Sequence, residues 1–213
     1  MLIMKRFAVI LAVVLAFPCM ASADVDLRVK LGNAAGAEKL ELGGETVDGD
    51  GSSSSNVQLE VALSPASDAT VGFVMGLGIF HRKHSGEIDD PLIPTTMDYE
   101  VTGISVAPGF RIKATDNFNF ELKLELGYGG SGKLTLNSPN ATWNDTDTGA
   151  YTSASLIAGW YYTFSKPGIQ LGLEIGAQSF QGDFKIWNNF SGWEDGTVKG
   201  TDAIANLVLG MRF

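Results

Sequence analysis

The sequence is poor in cysteine, in histidine and in long hydrophobic segments. It has one cysteine and two histidines among its 213 residues. The cysteine, Cys19, lies in an N-terminal apolar stretch, so the rest of the chain has no disulfide, thiol nucleophile or thiolate metal ligand. Beyond that stretch, no segment has the roughly 20 consecutive apolar residues that a transmembrane helix needs. A chain without such a helix can enter a membrane only as a closed β-barrel.

Basic residues are also in the minority. The chain has 15 Lys and Arg against 24 Asp and Glu, which gives a formal charge of -9. The basic residues form no continuous stripe, and an acidic protein of this kind is a poor binder of the phosphate backbone. The composition therefore excludes nucleic acid as a partner.

Residues 1–23 have the order of a secretory signal peptide. Lys5 and Arg6 precede an apolar run over residues 7–17, and residues 21–23 form a small-x-small cleavage site. The apolar run is too short to span a bilayer as a helix. We therefore expect export, cleavage after Ala23 and a mature domain of residues 24–213.

Apolar and polar residues alternate with a period of two along the mature chain. In the segment Phe118–Leu126, every second residue is apolar and the residues between them are polar or charged. Five segments alternate cleanly and three less strictly, which predicts eight strands. The segments are Leu27–Leu31, Val57–Leu63, Val71–Ile79, Ile104–Ile112, Phe118–Leu126, Leu156–Phe164, Ile169–Ile175 and Leu207–Phe213.

The connections between these segments are short and long in turn. Turn-type tetrapeptides occupy residues 65–68, 114–117 and 165–168. Longer polar connections cover residues 46–55, 85–97, 137–148 and 188–196. Short turns on one side and long loops on the other predict an all-β fold, an antiparallel up-and-down transmembrane β-barrel of eight strands with both chain ends on the short-turn side.

Two alternatives concern the fold. Alternation alone does not tell which face is wet, so a soluble β-sandwich or lipocalin-like barrel also fits it. Aromatic residues at strand ends, among them Phe110 and Trp160, favour the membrane barrel because they are typical of an interfacial girdle. In the first strand, residues 33–37 interrupt the alternation. A bulge there keeps eight strands, whereas a turn would raise the number to ten.

The last seven residues resemble the terminal signature of bacterial outer-membrane barrels, a final phenylalanine with apolar residues at every second position before it. The resemblance implies that Leu207, Leu209, Met211 and Phe213 form the signal that the barrel-assembly machinery recognises. Over residues 24–213 the chain resembles the small eight-stranded class represented by OmpX, the opacity proteins and the OmpA barrel. This resemblance implies a location in the cell outer membrane among lipid and lipopolysaccharide, and carries little information about activity.

Charged residues on the polar face of the strands are expected to fill the lumen. An eight-stranded barrel leaves an interior just wide enough for side chains, and a buried charge needs a partner. Oppositely charged residues should therefore pair across strands and plug the barrel, although a proton or ion path along them is an alternative. The predicted lumen network comprises Arg28, Lys30, Glu60, Arg111, Glu121, Lys123, Glu125, Glu174, Asp202 and Arg212, with Asp26 and Lys113 as further inward candidates.

Catalysis has weak support in the sequence. His81, His84, Ser85 and Glu87 contain the ingredients of acyl hydrolysis. However, His84 and Ser85 are adjacent, so on a strand they point to opposite faces, while His81 and Ser85 lie about 13 Å apart by strand rise. We interpret both histidines, with Arg82 and Lys83, as a polar rim near lipid headgroups. A lipid A acyl hydrolase remains an alternative.

The long connections carry the remaining functional signal. They are acidic, and four aromatic residues in them could contact an extracellular ligand, whose identity the sequence leaves open: Trp143, Trp187, Phe190 and Trp193. No catalytic, metal or cofactor site is predicted. The sequence thus predicts a structural or surface-interaction barrel, with a narrow ion or small-solute channel and a lipid-modifying enzyme as alternatives.

Overall fold

The computed structural model describes residues 23–42, 45–65, 70–88, 95–138, 141–145, 149–164, 168–188 and 192–213. Within these ranges, no helix is long and apolar enough to cross a membrane. The predicted signal peptide lies outside the described residues except for Ala23. The strands are β1 (Ala23–Leu42), β2 (Glu45–Pro65), β3 (Val71–Ile88), β4 (Thr95–Lys113), β5 (Phe118–Ser138), β6 (Ala141–Asp145), β7 (Tyr151–Thr163), β8 (Gly168–Asn188) and β9 (Gly192–Arg212).

Eight of these strands form a closed antiparallel ring. Each pairs with its neighbours in the order β1-β2-β3-β4-β5-β7-β8-β9, and β9 pairs with β1 to close it. The first and last strands are joined beside Ala23, the first described residue, where the Phe213 amide donates to the Val25 carbonyl at 2.9 Å. The fold is thus the predicted up-and-down eight-stranded barrel, with both ends on the same side.

The strand outside this count, β6, continues the wall beyond β7, on the side away from the short turns, which we call the upper side. The short strand β6 pairs with the upper part of β5, and β7 pairs with its lower part, from Phe118 to Gly129. Residues 149 and 150 extend the β7 side, because the Gly149 amide donates to the Asp183 carbonyl at 2.8 Å. β6 and β7 therefore occupy one position in the ring, since both pair with β5 on the same side.

The interruption predicted in the first strand is not a turn. β1 runs unbroken through residues 33–37 and keeps a regular register with β9. The irregularity lies in the pairing with β2, where Gly36 faces Ser52 while Glu38 faces Gly49, so the extra residue is on β2. The barrel keeps eight wall positions, and the bulge lies in the Gly/Ser-rich part of β2.

The strands are much longer than the sequence predicts, so the four predicted long loops are wrong in their extent. β2, β5, β8 and β9 have 21 residues each, whereas about 9–11 tilted residues cross a bilayer. Residues 46–55, predicted as a loop, belong to β2, and the other three predicted loops lose residues to the strands on either side. The barrel therefore continues well beyond the membrane on the long-loop side.

The outer wall of the half of the barrel next to the short turns, which we call the lower half, is an apolar belt. Its outward side chains are large and exposed, as with Leu124 at 47% and Ile104 at 61%. Aromatic rings pair near the short-turn end, with centroid distances of 5.6 Å for Phe120 and Trp160 and 5.1 Å for Tyr162 and Phe164. Such a belt with an aromatic girdle is the surface that lipid tails cover in an outer-membrane barrel.

Above the belt, the polarity of the two faces is reversed. The outward side chains are polar and form cross-strand ion pairs, such as Lys39 with Asp48 at 2.8 Å and Lys83 with Asp98 at 3.1 Å. The inward side chains form a buried apolar cluster, which we call the cap: Leu40, Phe80, Met97, Tyr99, Val101, Leu134, Leu136, Tyr151, Phe180, Phe184 and Val198. The upper part of the barrel is therefore built like a small water-soluble protein.

Candidate functional site in the barrel lumen

The lower end of the lumen is organised around one carboxylate. Asp26 accepts from Arg212 at 2.6 Å, from Arg111 at 2.5 Å and from Arg28 at 2.7 Å. These three arginines come from β9, β4 and β1, so the carboxylate joins strands that are not all neighbours. All four side chains are at least 96% buried, and a buried carboxylate is tolerated only with such partners.

In the layer above, Arg28 reaches across the barrel. Its two terminal nitrogens each donate to one oxygen of Glu121 at 2.8 Å. The guanidinium also lies 4.1 Å from the centre of the Tyr161 ring. Planar two-point pairing and stacking on an aromatic ring are the interactions that suit arginine better than lysine.

Two lysines and two glutamates form the next layer. Lys30 contacts Glu60 at 2.7 Å and Glu174 at 3.1 Å. Lys123 contacts the same two carboxylates at 3.2 Å and 2.9 Å. Tyr161 donates a short hydrogen bond to Glu174. All five side chains have zero exposed surface, so the layer closes the section of the lumen that it occupies.

The upper polar layer is centred on Glu125. It accepts from Arg82 at 2.6 Å and from Gln58 at 2.9 Å. An enclosed cavity lined in part by Arg82, Glu125 and Asn206 has a volume of about 10 Å³, which is at most the space of one water molecule. The charged layers thus fill the lumen along the height of the apolar belt.

A histidine lies between the charged layers and the cap. His84 is fully buried, stacks on Phe180 with ring centres 4.0 Å apart, and has Nε2 3.3 Å from the Tyr151 hydroxyl. Asp202 approaches its Nδ1 to 3.8 Å. In the cap above, burial raises the pKa of the Tyr99 phenol, and the neighbouring Tyr151 adds to this rise.

These features of the wall and lumen agree with the comparison to known proteins. Residues 9–213 match the outer membrane protein beta-barrel domain. The chain belongs to this family. Among curated proteins none gives a significant match.

Among solved structures, three similar proteins share low sequence identity with the chain. The Ail attachment invasion locus protein of Yersinia pestis is 13% identical, with a TM-score of 0.37, over 90% of this chain and 99% of Ail. The outer membrane protease OmpT of Escherichia coli is 10% identical, with a TM-score of 0.44, over 90% and 96%. Neisserial surface protein A is 9% identical, with a TM-score of 0.37, over 84% and 95%.

All ten residues predicted for the lumen network of this barrel domain are buried inside it, and Asp26 joins them. These residues do not all belong to one ion-pair network. Asp202 lies beside His84, above the ion-paired layers. Lys113, a further inward candidate, is only partly buried at the short-turn end of β4.

The predicted polar rim around the histidines is half wrong. His81 and Lys83 lie on the outer wall, but Arg82 and His84 are buried in the lumen. Four consecutive polar residues suggest a rim, but the alternation of inward and outward side chains continues through them. The same alternation would have found Tyr161, which follows Ile157 and Gly159 on the inward face of β7. It would not have found Glu38, which lies after residues 33–37, where the alternation of the first strand is interrupted.

The predicted hydrolase residues do not come together. His84 and Ser85 point to opposite faces of β3, and His81 bonds Thr102 at 3.0 Å. Ser85 donates to Asp98 at 2.6 Å on the outer wall. Partial burial raises the pKa of Asp98, but hydrogen bonds from Ser85 and Lys83 outweigh it and leave this pKa below its usual value. Ser85 is therefore held by a carboxylate that is not connected to either histidine.

Three of the four aromatic residues predicted as loop contacts belong to strands, not to loops. Trp187 and Trp193 face each other in the β8–β9 ladder, and Trp143 of β6 pairs with Leu136 of β5. Phe190 falls outside the described residues. The predicted assembly signal is on the outer wall of β9, with Leu207, Leu209, Met211 and Phe213 exposed to 61%, 56%, 44% and 62%.

Proposed function

We propose that this chain is a non-conducting outer-membrane barrel that carries a rigid β-extension above the outer leaflet and uses that extension for contacts outside the cell. The observation that carries the proposal is the filled lumen. An ion or solute would have to pass the Arg28–Glu121 pair, the lysine–glutamate layer and then the apolar cap. Each of these obstacles is buried and fully packed, which favours a plug over a pore.

The extension supports a surface role because its geometry is fixed. Above the belt, strands such as β8 and β9 remain paired to the end of the hairpin, where Asn188 faces Gly192. Outward polar side chains pair across strands, and the cap fills the interior. A rigid wall of this kind would raise the tips through the sugar layer of lipopolysaccharide, whose headgroups would meet the ring of polar residues around His81 and Lys83.

A conductance measurement tests the plugged lumen. The chain is purified from outer membranes and inserted into a planar bilayer, and single-channel current is recorded. We expect no steady steps. The matched comparison is the double variant Arg28→Ser with Glu121→Ser, which removes only the first of these obstacles. It should stay closed as well, because the lysine–glutamate layer and the cap remain, and openings in it would show that these upper layers do not seal the lumen. Steady conductance of the unmodified chain, altered by Glu125→Gln, would favour a selective pore instead.

An adhesion measurement tests the surface role. Cells that display the protein are compared with cells that lack it for autoaggregation and for retention on epithelial monolayers. We expect display to increase at least one of these properties and the pair Trp187→Ala with Trp193→Ala to reduce it. Phe110→Leu, at the opposite end of the barrel, is the control. Equal behaviour of displaying and empty cells would contradict the surface role.

A further inference from the structure

Three side chains from three strands converge between the charged layers and the cap. Glu38 of β1, His84 of β3 and Asp202 of β9 are buried, with exposures of 2%, 0% and 2%. His84 Nδ1 lies 3.5 Å from Glu38 Oε1 and 3.8 Å from Asp202 Oδ2. One ligand atom from each residue lies within 4.8 Å of the other two. We infer that these residues bind a divalent transition-metal ion, for which Zn²⁺ is the best fit.

The strongest support comes from buried polar atoms that have no hydrogen-bond partner within the described part of the chain. Three such atoms are the two carboxylate oxygens of Glu38 and the Nδ1 of His84, for which the described residues supply no hydrogen bond. The Asp202 carboxylate accepts a long hydrogen bond of 3.5 Å from the Ser54 hydroxyl. A buried carboxylate without a donor is costly, so buried acids are paired or coordinate metals. A cation at the centre of the three groups would satisfy all of these atoms together.

The other side of the imidazole is arranged as in metal sites. His84 Nε2 is 3.3 Å from the Tyr151 hydroxyl, which also accepts from Gln178 at 3.2 Å. Phe180 stacks on the ring at 4.0 Å. Metal-binding histidines almost always donate their second ring nitrogen to such a partner, which fixes the ring and leaves the first nitrogen free to bind the ion. Nδ1 is the nitrogen that faces the two carboxylates.

Distances and ligand types favour zinc over calcium or magnesium. Two ligands that each lie about 2.0–2.1 Å from a tetrahedral zinc are about 3.4 Å apart, close to the separations found around His84 Nδ1. An imidazole suits zinc and neighbouring transition metals, whereas calcium and magnesium prefer oxygen ligands alone. Two carboxylates and a neutral imidazole also carry the charge that balances a divalent ion.

The backbone leaves room for this cluster. Gly36 of β1 lies opposite Asp202 of β9, and a Cβ at Gly36 would fall 2.5 Å from Asp202 Oδ1. Any larger residue would push the carboxylate out of its position. The cluster also joins β1 to β3, which are not neighbours in the ring, so a bound ion would cross-link the barrel directly below the cap.

The test is metal analysis of the whole protein, purified without a histidine tag. The protein is unfolded in guanidinium with EDTA, refolded in detergent with or without ZnCl₂, desalted and analysed for zinc per chain. We expect about one zinc per chain after refolding with zinc, and a melting temperature that rises with zinc concentration. His81→Ala is the matched control, because it removes the other histidine of the sequence from the outer wall and should keep its zinc.

Three variants of the cluster decide the question. His84→Ala, Glu38→Gln and Asp202→Asn should each lose most of the zinc and the zinc-dependent rise in melting temperature. If His84→Ala fails to fold, as judged by heat-modifiable gel migration, Asp202→Asn is examined with Co²⁺, whose visible absorption should be present in the unmodified protein and absent in the variant. Unmodified protein that refolds without retaining zinc, or variants that retain as much as it does, would overturn the inference.

Discussion

Arg28 and Glu121 form a two-point ion pair across the full width of the barrel. Their strands, β1 and β5, are four places apart in a ring of eight, so they stand opposite each other. Both donor–acceptor distances are 2.8 Å, and neither side chain has exposed surface. The pair thus fixes the barrel's diameter and divides its interior, and its partners Asp26 and Arg111 extend the same network to the lower end.

Removing one member of this pair should destabilise the barrel strongly. Arg28→Met leaves Glu121 and Asp26 with fewer partners, and losing one side of a buried pair costs about 3–5 kcal/mol. The double variant with Glu121→Gln should cost less than the sum of the two single changes, because residues in contact are coupled. Urea unfolding of the refolded protein in detergent, followed by tryptophan fluorescence, measures these free energies.

The control for this cycle is Lys39→Met. Lys39 pairs with Asp48 on the exposed outer wall, with half of its side chain in solvent, so the change should have little effect. Additive effects of Arg28→Met and Glu121→Gln would show that the two side chains do not act as a pair.

The Tyr161 ring depends on the absence of a side chain at Gly172. A Cβ at Gly172 would lie 2.5 Å from the Tyr161 ring, whereas a Cβ at Gly72 would meet nothing within 4 Å. Gly172→Ala should therefore lower the free energy of unfolding by about 1–3 kcal/mol, as overpacking does in other cores. Gly72→Ala, measured in the same unfolding assay, should be neutral or slightly stabilising. Equal effects at both positions would contradict this account.

The apolar belt predicts how outward substitutions depend on height. Leu124 lies near the middle of the belt, and Leu124→Arg should cost about 2–4 kcal/mol, the range found for arginine at the bilayer midplane. Gln181 points outward from β8 above the belt, and Gln181→Arg should change stability little. Both are compared by unfolding from lipid vesicles. A small effect at Leu124 would mean that lipid does not cover this wall.

The terminal phenylalanine separates assembly from stability. Phe213 is 62% exposed, and its backbone amide bonds Val25, a contact that Phe213→Ala keeps. If the residue belongs to the assembly signal, the variant should accumulate less folded barrel in cells while its refolding yield in detergent stays unchanged. Heat-modifiable gel migration measures both quantities. A parallel loss in cells and in detergent would indicate a purely structural role.

The part of the fold that the sequence predicts well is the part inside the membrane. In Phe118–Leu126, charged residues face the lumen and apolar residues face lipid, so one alternation defines both faces. Around Met97, Tyr99 and Val101 the alternation continues with the apolar residues inward and the acids outward. The predicted loop of residues 85–97 ends at Met97 and the next predicted strand begins only at Ile104, because a prediction based on lipid exposure does not anticipate this reversal.

The candidate site divides in the same way. Lumen charges such as Lys123 and Glu174 could be predicted because they alternate with lipid-facing residues. The group of Glu38, His84 and Asp202 could not, since its members come from β1, β3 and β9 and meet only when the ring closes. Pairings of this kind depend on register, and the bulge of β2 shows that register shifts where the Gly/Ser-rich segment carries no alternation.

The reversal of polarity along the strands also sets the depth at which the protein sits in the bilayer. A vertical displacement by two residues is about 5 Å for a tilted strand. A displacement toward the cell interior would leave outer-wall charges such as Lys83 and Glu100 among lipid tails. A displacement away from the cell would remove the lipid contacts of the lowest ring of aromatic residues. The protein is thus anchored at a single depth in the bilayer. Every group above the apolar belt is therefore held at a constant distance from the membrane surface.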